Sequence, residues 1–227
     1  MKKKVFAILL CTMMAIPALS QAQIYAKINA LYAVAGIINP QLEFVVGPHS
    51  SVVIDPTFSP HKNLKIGSRD DIHALFGILQ TEYRYYIKRE AQGFYVSANV
   101  GMQAFELTRP YLFPKGKLVS FEGGFGRGFG VMTGLGIGYS HTFKERWVVD
   151  AFFAFDRMWS WYNDYDSKGA IDLFPRHQKE PKFPDPFNGS AEWLPSKIGV
   201  AIGYKIFDPT LKNRSCRERK IERLLAK

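Results

Sequence analysis

The sequence predicts an all-β chain, an eight-stranded antiparallel up-and-down transmembrane β-barrel, and three observations carry the prediction. Apolar residues alternate with small or polar ones at period two, segment after segment, the mark of strands with two different faces. The face opposite the bulky residues is built of glycine, alanine and scattered charges, not of the long charged side chains a water-facing surface carries. The links between segments alternate between short and long, the pattern of barrels with tight turns at one end and surface loops at the other. Composition agrees: 47% hydrophobic and 15% aromatic among 227 residues exclude wholesale disorder, and two cysteines exclude a disulfide-stapled scaffold.

Taken in chain order, the first element is an export signal. Lys2, Lys3 and Lys4 precede an apolar stretch at 5–19 broken by Pro17, and Ala18, Ser20 and Ala22 supply the small residues of a cleavage site, so 1–22 reads as a signal peptide. Leu10 before Cys11 argues against lipidation, which wants a small residue there. The barrel is expected over 23–207 and a basic periplasmic tail over 208–227, which carries Cys216. Beyond the signal no run approaches the ~20 apolar residues of a membrane helix.

Three stretches, 25–35, 41–46 and 52–59, form the first strands with modest clarity, the third interrupted by Pro56. The fourth, at 76–87, sets Ile78, Gln80, Glu82 and Arg84 against Leu79, Thr81, Tyr83, Tyr85 and Ile87. The fifth, at 94–104, sets Phe94, Val96, Ala98, Val100 and Met102 against Tyr95, Ser97, Asn99, Gly101 and Gln103. The sixth, at 131–139, opposes Leu135, Ile137 and Tyr139 to Gly134, Gly136 and Gly138. The seventh covers 147–155, and the eighth, at 197–207, opposes Ile198, Val200, Ile202 and Tyr204 to Gly199, Ala201 and Gly203. Links at 47–50, 88–93 and 144–146 are short, whereas 60–75, 108–127 and 164–195 are long, and only the link near Asn39 departs from the alternation. Tyr83, Tyr85, Tyr139, Trp147 and Tyr204 near the short turns, with Trp159, Trp161, Tyr162 and Tyr165 at the far end, read as two aromatic girdles around a lipid-facing band.

The segments KINALYAVAGIINPQLEFVVG, EYRYYI, GFYVSANVGMQAFEL and GFGVMTGLGIGYSHTFKERWVVDAFF resemble the uncharacterised outer-membrane β-barrels of Bacteroidetes grouped as a domain of unknown function, distantly similar to the barrel of outer membrane protein A. The resemblance covers most of the chain up to Phe207 and rests on strand patterns, so it implies architecture and location and no activity. The Pro- and Lys-rich final loop and the tail after Phe207 depart from the pattern.

With the polar face turned inward, Lys27, Glu43, Asp55, Glu82, Arg84, Asp150, Asp156, Lys197 and Lys205 meet in the lumen. Eight strands leave an interior just wide enough for side chains to fill. Buried charges at that density must pair, so the expectation is a salt-bridge network plugging the barrel. The glycine-rich 123–138 lacks any G-K-[ST] and continues as a strand, which sets aside a phosphate loop. Asp164, Asp166, Gly169 and Asp172 fit part of a calcium loop, but Lys168 and Pro175 stand where oxygen ligands are required. His49 with Ser50 and Ser140 with His141 fall near the short turns, away from the rim where a lipid hydrolase would work.

The last loop interleaves Phe174, Phe183, Phe187 and Trp193 with Arg176, Lys179 and Lys182, aromatic anchors beside positive charge that suit a glycan, lipid head group or partner protein. The expected protein is thus an outer-membrane barrel of a Gram-negative bacterium with a structural or surface-interaction role and no turnover. It has no catalytic residues, cofactor or metal, it touches outer-membrane lipid and an envelope or extracellular ligand, and export separates it from nucleic acid. The alternatives are an outer-leaflet lipid-modifying barrel enzyme and a small-solute channel.

Overall fold

The computed structural model describes residues 23–66, 69–88, 91–108, 110–112, 119–121, 124–144, 146–165 and 192–209. The expected signal peptide at 1–22, the bulk of the last loop at 166–191 and the tail from 210 onward, Cys216 included, lie outside the described residues. The elements are β1 (Gln23–Asn29), α1 (Ala30–Val34), β2 (Pro40–Val45), β3 (Ser50–Ile66), β4 (Arg69–Tyr86), β5 (Gly93–Leu107), β6 (Pro110–Leu112), β7 (Val119–Phe121), β8 (Phe125–Phe143), β9 (Trp147–Tyr165) and β10 (Glu192–Phe207).

Eight of these strands close into a ring in the order β1, β10, β9, β8, β5, β4, β3, β2, every pair antiparallel. Each strand pairs with its predecessor in the chain, β1 pairs with β10, and β6 and β7 form a separate ribbon in the β5–β8 link. Closure leaves the sheet no free edge along its lower half. No helix among the described residues is long and apolar enough to cross a membrane.

The pleat sorts side chains as the alternation requires. Leu79, Val96, Val100, Leu135, Ile137, Phe153, Ile198 and Ile202 point outward and are exposed. Lys27, Asn29, Gln41, Glu43, Asp55, Gln80, Glu82, Arg84, Asn99, Asp150, Asp156 and Lys197 point inward and are buried. The apolar core is small and sits at the short-turn end, where Tyr86 and Tyr95 pack at 4.9 Å beside Ala91, Phe152 and Ala201.

Three expectations need correction. The first strand, expected over 25–35, stops at Asn29 and gives way to α1. The expected long link at 60–75 is instead strand, because the β3–β4 ladder runs on through His61↔Ala74 and Leu64↔Ile72 to Ile66↔Arg69 with two register shifts. The link at 108–127 is partly the β6–β7 ribbon, and β8 starts at Phe125.

β1 and β2, with 7 and 6 residues, fall short of the ~9–11 that span a bilayer core. β10 continues upward past Ala201, its last partner being Asn29, and β3 continues past Ile54, so the ring wall drops to half height between them. Two side chains and one backbone bridge meet part of the exposed backbone along this notch. Asn29 accepts from Leu31 N, capping α1, and donates to Ile198 O at 3.2 Å. Asn39 donates to Pro56 O at 3.1 Å, and Ile38 and Phe58 exchange two backbone bonds of 2.8 Å. Gly36, at φ +70, turns the chain back against His61, whose Nε2 donates to Ala35 O at 2.9 Å. Pro56 and Pro60 on β3 and Pro195 on β10 all lie where their strand has a ladder partner on one side only, the place a residue without an N–H is tolerated.

Candidate functional site

The lumen network begins on β4, where residues two apart share the inward face. Arg84, fully buried, sends Nη2 to Glu82 Oε2 at 3.0 Å and Nη1 across the lumen to Asp150 Oδ2 on β9 at 2.5 Å. Its guanidinium lies 4.5 Å from the centre of the Tyr95 ring. Lys27 on β1 donates to Asp150 Oδ2 at 2.8 Å and pairs with Glu43 on β2. Lys197 on β10 joins Glu82 at 2.8 Å to Asp55 on β3. Seven of the expected residues, Lys27, Glu43, Asp55, Glu82, Arg84, Asp150 and Lys197, are therefore one connected array.

Two expected members stand apart. Asp156 is fully buried but meets amides instead of cations, accepting from Gln80 Nε2 at 2.6 Å and Asn99 Nδ2 at 3.2 Å. Lys205 has the inward parity but sits at the short-turn mouth, on Asp208 at 3.1 Å and 5.4 Å from the Tyr25 ring centre, and does not join the array. The lumen thus holds five carboxylates against three bases, where nine charges were expected to include a fourth base.

Neutral donors make up the difference. Tyr86 donates to Glu43 Oε1 at 2.6 Å, Ser51 donates to the same oxygen at 2.5 Å, and Tyr95 donates to Asp150 Oδ1 at 2.9 Å. Gln41 donates to Asp55 at 3.2 Å, and Asn39 donates to both Asp55 and Thr57. Such bonds satisfy carboxylate lone pairs that the cations leave open, the condition for burying charge in a low dielectric. These neutral donors were not among the expected lumen residues, although Gln80 and Tyr86 share the inward parity of Glu82 and Arg84 on β4, and Tyr95 and Asn99 the inward parity of β5.

Every strand of the ring except β8 contributes to the array or to its donors. β8 turns Gly130, Gly134, Gly136 and Gly138 inward, and a Cβ on Gly138 or Gly134 would overlap the Tyr95 ring or Asp156. The glycines are the floor across which side chains of β5 and β9 reach the centre. No three His, Cys, Asp or Glu side chains gather as a metal site among the described residues.

Of the expected surface-loop residues, Phe174, Arg176, Lys179, Lys182, Phe183 and Phe187 lie outside the described residues. Trp193 belongs to β10 and not to the loop. It stacks on Phe155 of β9 at 5.9 Å, with Arg157 5.9 Å from its ring centre.

The model of the family described as protein of unknown function (DUF3575) matches residues 5–185. No curated protein and no solved structure matches the chain. The chain belongs to the DUF3575 family.

Proposed function

We propose that this family member is an outer-membrane β-barrel, exported by the signal at 1–22, with a plugged polar lumen and a structural or surface-interaction role without turnover. The observation that carries the reading is the inverted profile of the ring, buried charge inside and exposed Leu79, Val100, Leu135, Ile137 and Ile198 outside. Water disfavours so large an apolar surface, and hydrocarbon favours it provided the backbone is satisfied within a closed sheet. Phe94 with Tyr139 and Trp147 with Tyr204 near the turns, and Phe129 with Trp161 and Phe155 with Trp193 toward the other end, fit two interfacial girdles. The quoted strand segments support a Bacteroidetes outer membrane and a distant likeness to the barrel of outer membrane protein A.

The same lumen favours a structural role over a small-solute channel, because a passing ion would have to break bonds that Arg84, Lys27 and Lys197 already make. A surface-recognition role for 174–193 extends the proposal to the last loop, with Trp193 at its base. The expected result is cofractionation with outer membrane, heat-modifiable migration on gels and negligible steady conductance in planar bilayers. A detergent-free soluble monomer overturns the membrane reading, and large stable channels overturn the plug.

A further inference from the structure

Toward the long-loop end, on the outward face, four strands converge on one charged and aromatic cluster. Arg127 of β8 sends Nε and Nη2 to the same oxygen of Glu106 on β5, at 2.9 and 2.6 Å. His73 Nδ1 of β4 donates to the other oxygen at 2.6 Å, and His73 N donates to Thr108 Oγ1 at 3.0 Å. The His73 ring stacks on Phe125 at 4.2 Å, Phe125 stacks on Tyr165 of β9 at 5.3 Å, and the Arg127 guanidinium lies 5.2 Å from the centre of the Tyr165 ring.

Arg127 is thus held by a carboxylate and an aromatic ring, yet its side chain is 52% exposed and Nη1 makes no hydrogen bond among the described residues. Lys62 on β3 is exposed, forms no ion pair among the described residues, and lies near enough for its charge to act on Glu106. Two cations and an imidazole therefore surround the Glu106 carboxylate, while Asp71, two residues before His73 on the same face of β4, has an interaction of its own. Directly below, Phe129 is 57% exposed and stacks on Trp161, and the outward face continues as Val131 and Leu135. The surface is apolar up to the girdle and basic above it.

We propose that Arg127, Lys62 and His73 form a binding site for the phosphate of an outer-leaflet glycolipid, whose acyl chains lie along Phe129 and Val131. The inference rests on the membrane reading above. Arginine supplies a preorganised planar donor to a phosphate oxygen, lysine adds a point charge, and Glu106 fixes the fork without cancelling both cations. The charge sign selects a phosphate-bearing amphiphile over a zwitterionic one, and the apolar surface beneath selects a lipid over free phosphate.

The test refolds the chain into phosphatidylcholine vesicles containing a minor fraction of a bis-phosphorylated, acylated glucosamine disaccharide, or the same glycolipid after phosphatase treatment. Glycolipid retained by the protein is counted by native mass spectrometry, and insertion is scored separately by heat-modifiable migration. Wild type should retain the phosphorylated form preferentially, with retention falling about fivefold for each basic residue removed in Lys62→Gln and Arg127→Gln. Lys62→Gln alone removes no structural bond and keeps the test open if Arg127→Gln misfolds. Equal retention of the two glycolipids by inserted wild type, or unchanged retention by inserted Lys62→Gln, overturns the site. Failure of wild type to insert overturns the membrane reading itself.

Discussion

Arg84 Nη1 lies 2.5 Å from Asp150 Oδ2, a bond that crosses the barrel from β4 to β9 with β5 and β8 between them along the wall. The same arginine holds Glu82 with Nη2, so one side chain ties two buried carboxylates. Arg84→Ala leaves two carboxylates short of a partner in a site sealed from solvent and should destabilise the refolded barrel by about 3 kcal/mol, the usual cost of orphaning a buried charge. Arg84→Lys keeps the charge without the fork and should recover only part of the loss. Urea unfolding in vesicles reads both, and a cost for Arg84→Ala below about 1 kcal/mol would show that water reaches the pair.

The glycine floor makes a second, paired prediction. A methyl on Gly138 collides with the Tyr95 ring, which donates to Asp150, whereas a methyl on outward-facing Gly77 meets nothing within 4 Å. Gly138→Ala should therefore cost about 1–3 kcal/mol through overpacking, while Gly77→Ala should be neutral or slightly stabilising through the unfolded chain. Equal unfolding midpoints for the two variants would mean that Tyr95 is free to move aside.

These two residues also show what the sequence could and could not reveal. Period two placed Glu82, Arg84 and Asp150 on the inward face, and with an even strand count that is enough to bring them together in a narrow lumen. The same rule misassigned Lys205, because parity fixes the face but not the height, and a lysine one turn from the strand end reaches Asp208 instead of the centre. The upper part of β3 read as a loop since Pro56 and Pro60 interrupt a strand pattern. Their meaning depends on β1 and β2 ending early, and nothing local to Pro56 announces that Asn29 will cap a helix on the far side of the notch.

Orientation is testable at the two ends of the ring. Lys144 stands in the tight β8–β9 turn at φ 49, and Lys65 is exposed near the opposite end of β3. In a Cys216→Ser background, a membrane-impermeant maleimide on intact cells should label Lys65→Cys and reach Lys144→Cys only after permeabilisation. The reverse pattern would invert the barrel, and labelling of both in intact cells would remove it from the membrane.

The rim cluster should leave an acid signature. Burial alone would push the Glu106 carboxyl up, but hydrogen bonds from Arg127 and His73 and the charge of Arg127 outweigh it and hold the group below its ordinary 4.5. A carboxyl depressed on folding contributes stability that is fully present above its unfolded value and is lost as pH falls through the folded one. The contribution of Glu106 should thus be present above about pH 4.5 and decline as pH falls through the lower folded value. The informative quantity is the difference in unfolding free energy between wild type and Glu106→Gln measured at each pH. That difference should shrink below about pH 4.5, as protonated Glu106 loses the charge that Arg127 and His73 bind. A difference that stays flat through the acid range would mean that the Arg127–Glu106 contact is screened and that the cluster is held by the Phe125 and Tyr165 stack alone.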